Sequence, residues 1–226
     1  MRDTPAAPSL RTRLWDAPTR LVHWALVALI GFSWWSAEAH HMDWHRLSGY
    51  AVLGLLAFRL IWGFVGSGTS RFASFVRGPR ATLAYARTLA SRVHTAAPGH
   101  NPLGAWSVLA ILAALAAQVG TGLFAVDVDG LESGPLSDRV SFEVGRQAAE
   151  WHELSFTALQ ALVVLHLAAI AFYAVYKRAD LVRPMVTGRR RFETDPRLAF
   201  APAWRAALVA ALAAALAWFV AKGLRL

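Results

Sequence analysis

Residues 151–176 read WHELSFTALQALVVLHLAAIAFYAVY, and from Leu154 to the end of the run there is no charged residue. This exceeds the roughly 20 apolar residues needed to cross the hydrocarbon core of a bilayer. An ionisable side chain inside such a run is costly and marks a functional position. Here there are two, His152 and His166, separated by 14 residues. At 100° per residue that spacing is about 320°, so both point to nearly the same face, about 21 Å apart along the axis. One helix therefore presents two imidazoles to one interior at two depths.

Four further apolar runs accompany this one. Residues 21–35, LVHWALVALIGFSWW, are short for a span, but Asp16 as N-cap and Pro18 in the first turn extend the helix to about residue 37. The second run covers residues 47–65, with Asp43 as its cap and Gly66 as its stop. The third opens at Asn101-Pro102 and reaches residue 124, and the fifth covers residues 204–221. The bulk composition agrees with membrane spans. Of 226 residues, 56% are hydrophobic and 16% charged, against about 25% charged in soluble domains. The mean hydropathy is +0.39. A disordered chain is excluded and a soluble enzyme disfavoured. The 10 Trp suit membrane–water interfaces. With no Cys, disulfides, thiolate metal sites, iron–sulfur clusters and covalent haem attachment are ruled out.

The net charge of +9 is distributed by loop. Residues 1–20 carry Arg2, Arg11, Arg13 and Arg20, and residues 66–104 carry Arg71, Arg77, Arg80, Arg87 and Arg92 with no acid. Residues 177–203 hold seven Lys/Arg against three acids. Residues 36–45 instead hold Glu38 and Asp43, and residues 126–150 hold six acids against Arg139 and Arg146. Basic loops face the cytoplasm, which predicts a cytoplasmic N-terminus and, after five spans, a periplasmic C-terminus. The charge is a topology signal, and a nucleic-acid partner is not expected. Ala37-Glu38-Ala39 has the form of a signal-peptidase site, but a run containing His23 and ending in two Trp suits a retained helix better. Residues 79–93 place apolar positions 83, 86, 89, 90 and 93 against Arg80, Arg87 and Arg92. This is the pattern of a helix on the inner membrane surface, with an ordinary basic loop as the alternative.

The topology then assigns depths. His45 and His152 start inward-running helices and lie near the outer face. His23 starts the outward-running first helix and, with His166, lies toward the cytoplasm. Each pair supplies two axial nitrogens for one flat metal macrocycle, for which haem is the obvious candidate. Helix packing or a proton relay is the competing reading. Met1, Met42 and Met185 all lie outside the spans, which disfavours Met ligation. His40 and His41 fall in an outer loop, and His94 and His100 in an inner one, from which His100 is an alternative ligand to His23. Arg59, 14 residues after His45, lies at the depth of His166. It either pairs with a haem propionate or snorkels to the inner headgroups. Packing accounts for Gln118 and Thr121.

The motifs WDAPTRLVHW, HRLSGY followed by FRLIWGFVG, RFASFVRGPRATLAY, GHNPLGAW and WHELSFTALQALVVLH ending in LVRPMVTGRR resemble the bacterial cytochrome b561 family. The likeness is to its branch resembling the b-type cytochrome subunit of nickel–iron hydrogenases, over roughly residues 13–190. It implies an all-α integral membrane protein, a four-helix transmembrane bundle holding two non-covalent, bis-His haem b groups. Carried over, the ligands are His23, His45, His152 and His166. A di-haem domain over residues 1–190 is then followed by a linker and an additional C-terminal transmembrane helix over residues 191–226. The resemblance implies electron transfer in the bacterial inner membrane between the quinone pool and a periplasmic or membrane redox partner, as in a respiratory chain. The rival readings are a stand-alone superoxide:quinone oxidoreductase and, without haem, a transporter or channel with a His proton relay.

Overall fold

The computed structural model describes residues 10–92 and 98–225. Arg2, Val93 and His94 of the sequence reading lie outside the described residues. In chain order the elements are β1 (Leu10–Arg13), α1 (Ala17–Glu38), α2 (Met42–Val65), α3 (Phe72–Phe75), α4 (Pro79–Arg87), α5 (Pro102–Gly122), a 3₁₀ turn at Ser137–Arg139, α6 (Phe142–Val175), α7 (Val182–Thr187), β2 (Arg189–Phe192) and α8 (Ala203–Ala221). Apart from one two-stranded ribbon, this is an all-α, multi-pass membrane protein.

Local chemistry sets the helix starts. Asp16 Oδ1 accepts from Thr19 N at 2.8 Å, and Asn101 Oδ1 from Gly104 N at 2.8 Å, each with Pro in the first turn that follows. Two starts differ from the sequence reading. α2 begins at Met42 after His41, and Asp43 sits inside its first turn, where it pairs with Arg46 at 2.6 Å instead of capping. α6 begins at Phe142, well before residue 151, capped by Ser141 with Glu143 in its first turn. An acid there complements the helix dipole, and turns standing clear of the hydrocarbon need no apolar sequence.

α2, α5, α6 and α8 are long and apolar enough to cross a membrane. α1 is 22 residues long, but Arg20, His23, Trp24, Trp34, Trp35 and Glu38 dilute its apolar character. It nevertheless lies along the whole of α2. Thr19 Oγ1 and Ser70 Oγ meet at 2.7 Å at one end, and His45 Nδ1 meets Ser33 O at 2.9 Å at the other. Val52 and Leu56 of α2, Leu112 and Leu115 of α5, and Leu159 of α6 form one core cluster. α8 packs on α2 through a second cluster that unites Ala57, Phe58 and Trp62 with Val209 and Ala213. The small residues let the two backbones approach closely.

The loops sort to two ends. At the basic end β1 pairs with β2, Thr69 Oγ1 donates to Leu14 O at 2.9 Å, and Gly68 N donates to Ala199 O at 2.8 Å. At the acidic end Arg46 pairs with Glu132, Arg139 Nη2 donates to Gly223 O at 2.8 Å, and Arg225 pairs with Asp138. Within the 79–93 segment residues 79–87 form the helix α4, none of whose residues is buried, rather than an ordinary loop. Trp106 Nε1 holds α4 through Arg77 O and Thr82 Oγ1 at 3.2 and 3.1 Å, and Tyr85 Oη meets Tyr173 Oη at 2.6 Å. α4 is thus pinned across the basic ends of α5 and α6.

Candidate functional site

At the acidic end α1, α2, α5, α6 and the segment 123–135 enclose a cavity of about 470 Å³. Its walls are mostly apolar, with His45 and His152 facing each other across it and Arg46 and Arg146 in its lining. The two imidazole centroids are 6.0 Å apart, with ring planes at 85°. Two nitrogen–metal bonds of about 2 Å put axial imidazole centroids about 6 Å apart, so the observed separation suits one metal between them.

The outer nitrogen of each ring is occupied. His45 Nδ1 lies 2.9 Å from Ser33 O, and His152 Nδ1 lies 2.8 Å from Gln118 O. A carbonyl only accepts, so each Nδ1 carries the hydrogen and each Nε2 keeps its lone pair. This is the support that metal-bound histidines receive. In this arrangement the Gln118 amide nitrogen donates to the His152 Nε2 lone pair at 2.9 Å, a bond that a metal at this nitrogen would displace, and Ser155 Oγ donates to Gln118 Oε1 at 2.5 Å. Gln118 thus joins α5 to α6 as a packing residue does and lines the same cavity. Thr121 lies at the edge of the same group, with Oγ1 3.4 Å from His152 Nδ1.

Two glycines make the space. A Cβ on Gly122 would stand 2.7 Å from His152 Cε1, so only glycine admits the ring at this position. Gly49, one turn below His45, faces open space inside the cavity. Among the described residues no group of three or more His, Asp or Glu gathers for a bare metal ion. A flat macrocycle could supply the remaining ligands of a metal held by this pair, and the space beside Gly49 and Gly122 is compatible with one.

The basic end brings together His23, His166, His100 and Arg59. His23 and His166 lie within electrostatic reach of each other, and His100 within reach of both and of Arg59. The Nδ1 atoms of His23 and His100 are buried with no hydrogen-bond partner. His100 packs against Trp15 and Phe75 at 4.8 and 4.6 Å between centroids. Burial, then Arg59 and the two neighbouring histidines, push its pKa down to about 3, so its ring is neutral. Arg59 is only 8% exposed, donates to Ser70 O at 3.4 Å and lies 5.0 Å from the Phe72 ring centroid. It packs inward, which overturns snorkelling to the headgroups. His40 and His41 are exposed.

Sequence reasoning missed Arg46, Arg146 and the carbonyl supports. Arg46 adjoins His45 in sequence, a signal open to reading. Arg146 was hidden because its stretch reads as loop. The model of the family described as prokaryotic cytochrome b561 matches residues 14–188. No curated protein and no solved structure matches the chain.

Proposed function

The chain belongs to the prokaryotic cytochrome b561 family, and from that premise we propose that it relays electrons across the bacterial cytoplasmic membrane between the quinone pool and a redox partner on the outer face. The family supports the coarser statement, transmembrane electron transfer by a haem-binding b-type cytochrome. A haem-free channel gives way to it. The observation that carries the finer reading is the facing His45–His152 pair, 6.0 Å apart, with both Nδ1 atoms engaged by main-chain carbonyls.

On this reading His45 and His152 would hold one haem b, and His23 and His166 a second, with His100 the alternative to His23. Bound haem iron supplies reversible one-electron chemistry, tuned by its ligands, burial and nearby charge. The protein holds and insulates it. Ser33 and Gln118 fix the imidazole orientations through their carbonyls. Val52, Leu115, Phe156 and Leu159 wall the cavity and exclude water. Arg146, and Arg46 beside its ion pairs with Asp43 and Glu132, would face the cofactor's carboxylates at this cavity, and Arg59 would take that role at the basic end. α1 acts as a fifth span. The acidic end lies outside, where it steers a basic partner, and the basic end lies in the cytoplasm.

The test is a reduced-minus-oxidised spectrum with haem quantitation and acid–acetone extraction of the purified chain. The expected result is about two haems per chain, all extractable because no Cys can tether them. One haem per chain, or haem left on the polypeptide, would defeat the reading.

A further inference from the structure

The ribbon at the basic end carries a charge pattern that the electron relay does not use. β1 and β2 pair antiparallel with Arg11 opposite Arg191 and Arg13 opposite Arg189. Alternation puts these four on one face and Leu10, Thr12, Arg190 and Phe192 on the other. Apart from the exposed Leu10 at the ribbon's end, burial follows that division. All four arginines are exposed, whereas Phe192 is buried with Leu14 and Trp15. Opposed side chains lie about 5 Å apart at Cβ, and neighbours two along a strand about 7 Å apart. Four guanidiniums therefore crowd one small face.

Among the described residues none of the four is in an ion pair. The Arg13 guanidinium lies 4.3 Å from the Phe200 ring centroid, a contact that leaves its charge unneutralised. Asp180 acts on Arg190, which belongs to the opposite face. Like charges directly opposed destabilise an antiparallel pair, and a lone two-stranded ribbon is marginal in water. This register calls for an anionic counter-surface.

The surroundings say which one. Leu14 N and Trp15 N both donate to Gly188 O, at 2.7 and 3.2 Å, so the ribbon is tied to the start of α1. In the preceding α7, Val182 and Val186 expose apolar side chains. The exposed Trp24 donates from Nε1 to Met185 O at 3.2 Å. Exposed aliphatics, a Trp and arginines side by side are the composition of a membrane interface.

We propose that the face formed by Arg11, Arg13, Arg189 and Arg191 binds the phosphates of anionic phospholipid headgroups in the adjoining leaflet, and that this lipid holds the ribbon closed. Guanidinium suits the ligand because its fork binds phosphate oxygens bidentately. Basic clusters abutting membrane spans gain attraction residue by residue from an anionic leaflet. The proposal is independent of how many haems the chain holds.

The test uses the haem-loaded full chain in nanodiscs of phosphatidylcholine, with or without a minor fraction of phosphatidylglycerol. The readout is amide hydrogen exchange across residues 10–13 and 189–192. Phosphatidylglycerol should slow exchange in the wild type about tenfold or more. In the variant with all four arginines changed to Gln, exchange should already be slower in phosphatidylcholine, because the repulsion is gone, and should not respond to the anionic lipid. An unchanged haem spectrum certifies the fold. The milder Arg11→Gln/Arg191→Gln pair should lose part of the response should the fourfold variant fail to fold. Equal exchange in the two lipids for the wild type, or a full response in the variants, overturns the proposal. Slowing by inorganic phosphate alone would make the ligand a free anion instead of a headgroup. Slowing only by an added acidic peptide would assign the face to a protein partner. Either result overturns the lipid assignment.

Discussion

Single residues carry both the cofactor reading and much of the bundle's closure at the basic end. The histidine assignment predicts that ligand losses group by depth. His45→Ala and His152→Ala should each remove the same spectral and redox component and spare the other. His23→Ala and His166→Ala should do the reverse. Potentiometric titration of the four variants checks this. Should His23→Ala leave both components intact while His100→Ala removes one, His100 is the ligand. Asp16 serves a different end. Its carboxylate caps α1, accepts from Trp62 Nε1 at 3.0 Å and from Ser70 Oγ at 3.4 Å, and so joins α1 to α2 and the loop after it. Burial pushes this carboxyl up, but the hydrogen bonds it accepts, those from Thr19 and Trp62 among them, outweigh it and hold the pKa below the ordinary 3.8. With the folded pKa below the unfolded one, its contribution to stability is complete above the unfolded value and fades as pH falls through the folded value. Asp16→Asn keeps a capping oxygen but loses the charge. It should cost about 1–2 kcal/mol near neutral pH and flatten the fall in melting temperature in acid. Parallel acid slopes for the two proteins would refute this.

At the scale of elements, α8 lies outside the matched residues 14–188 yet reaches the cavity's surroundings. Its C-terminal turn accepts from Arg139 at Gly223 O, and Arg225 pairs with Asp138. Both partners sit in the 3₁₀ turn just after Gly134 and Pro135, which line the cavity. α8 is therefore a clamp on the segment that closes the cavity, besides being long and apolar enough to cross a membrane. Truncation after residue 202 should speed haem loss from the His45–His152 site several-fold and leave the other haem in place. Transfer of haem to an apo-globin scavenger measures it, and equal loss from truncated and full-length chains would reduce α8 to an anchor. The Arg46–Glu132 ion pair ties the same segment to α2, so the truncated chain should retain part of its closure.

For the whole molecule, the sorting of loops into a basic and an acidic end predicts orientation. Reporter fusions at residue 135 and at the C-terminus should both read periplasmic, and one near residue 190 cytoplasmic. A cytoplasmic C-terminus would break the count of five crossings. The apolar runs, the cap at Asp16, the opening of the third run at Asn101-Pro102, the charge alternation and the spacing of His152 from His166 were legible in the sequence, because each rests on neighbours along one helix or on the solvation of a whole segment. The same arithmetic placed His45 and His152 at a common depth. It could not supply their 6.0 Å separation, which depends on Ser33 and Gln118 reaching across from other helices and on Gly122 admitting the ring. Nor could it show that Arg59 turns inward, that α4 is pinned by Trp106 and Tyr173, or that four arginines share one face of a ribbon whose strands lie far apart in the chain. Periodicity and hydropathy belong to the chain and can be read from it. Distances between helices, the filling of the space among them and the register of distant strands arise only when separate segments compete for the same interior.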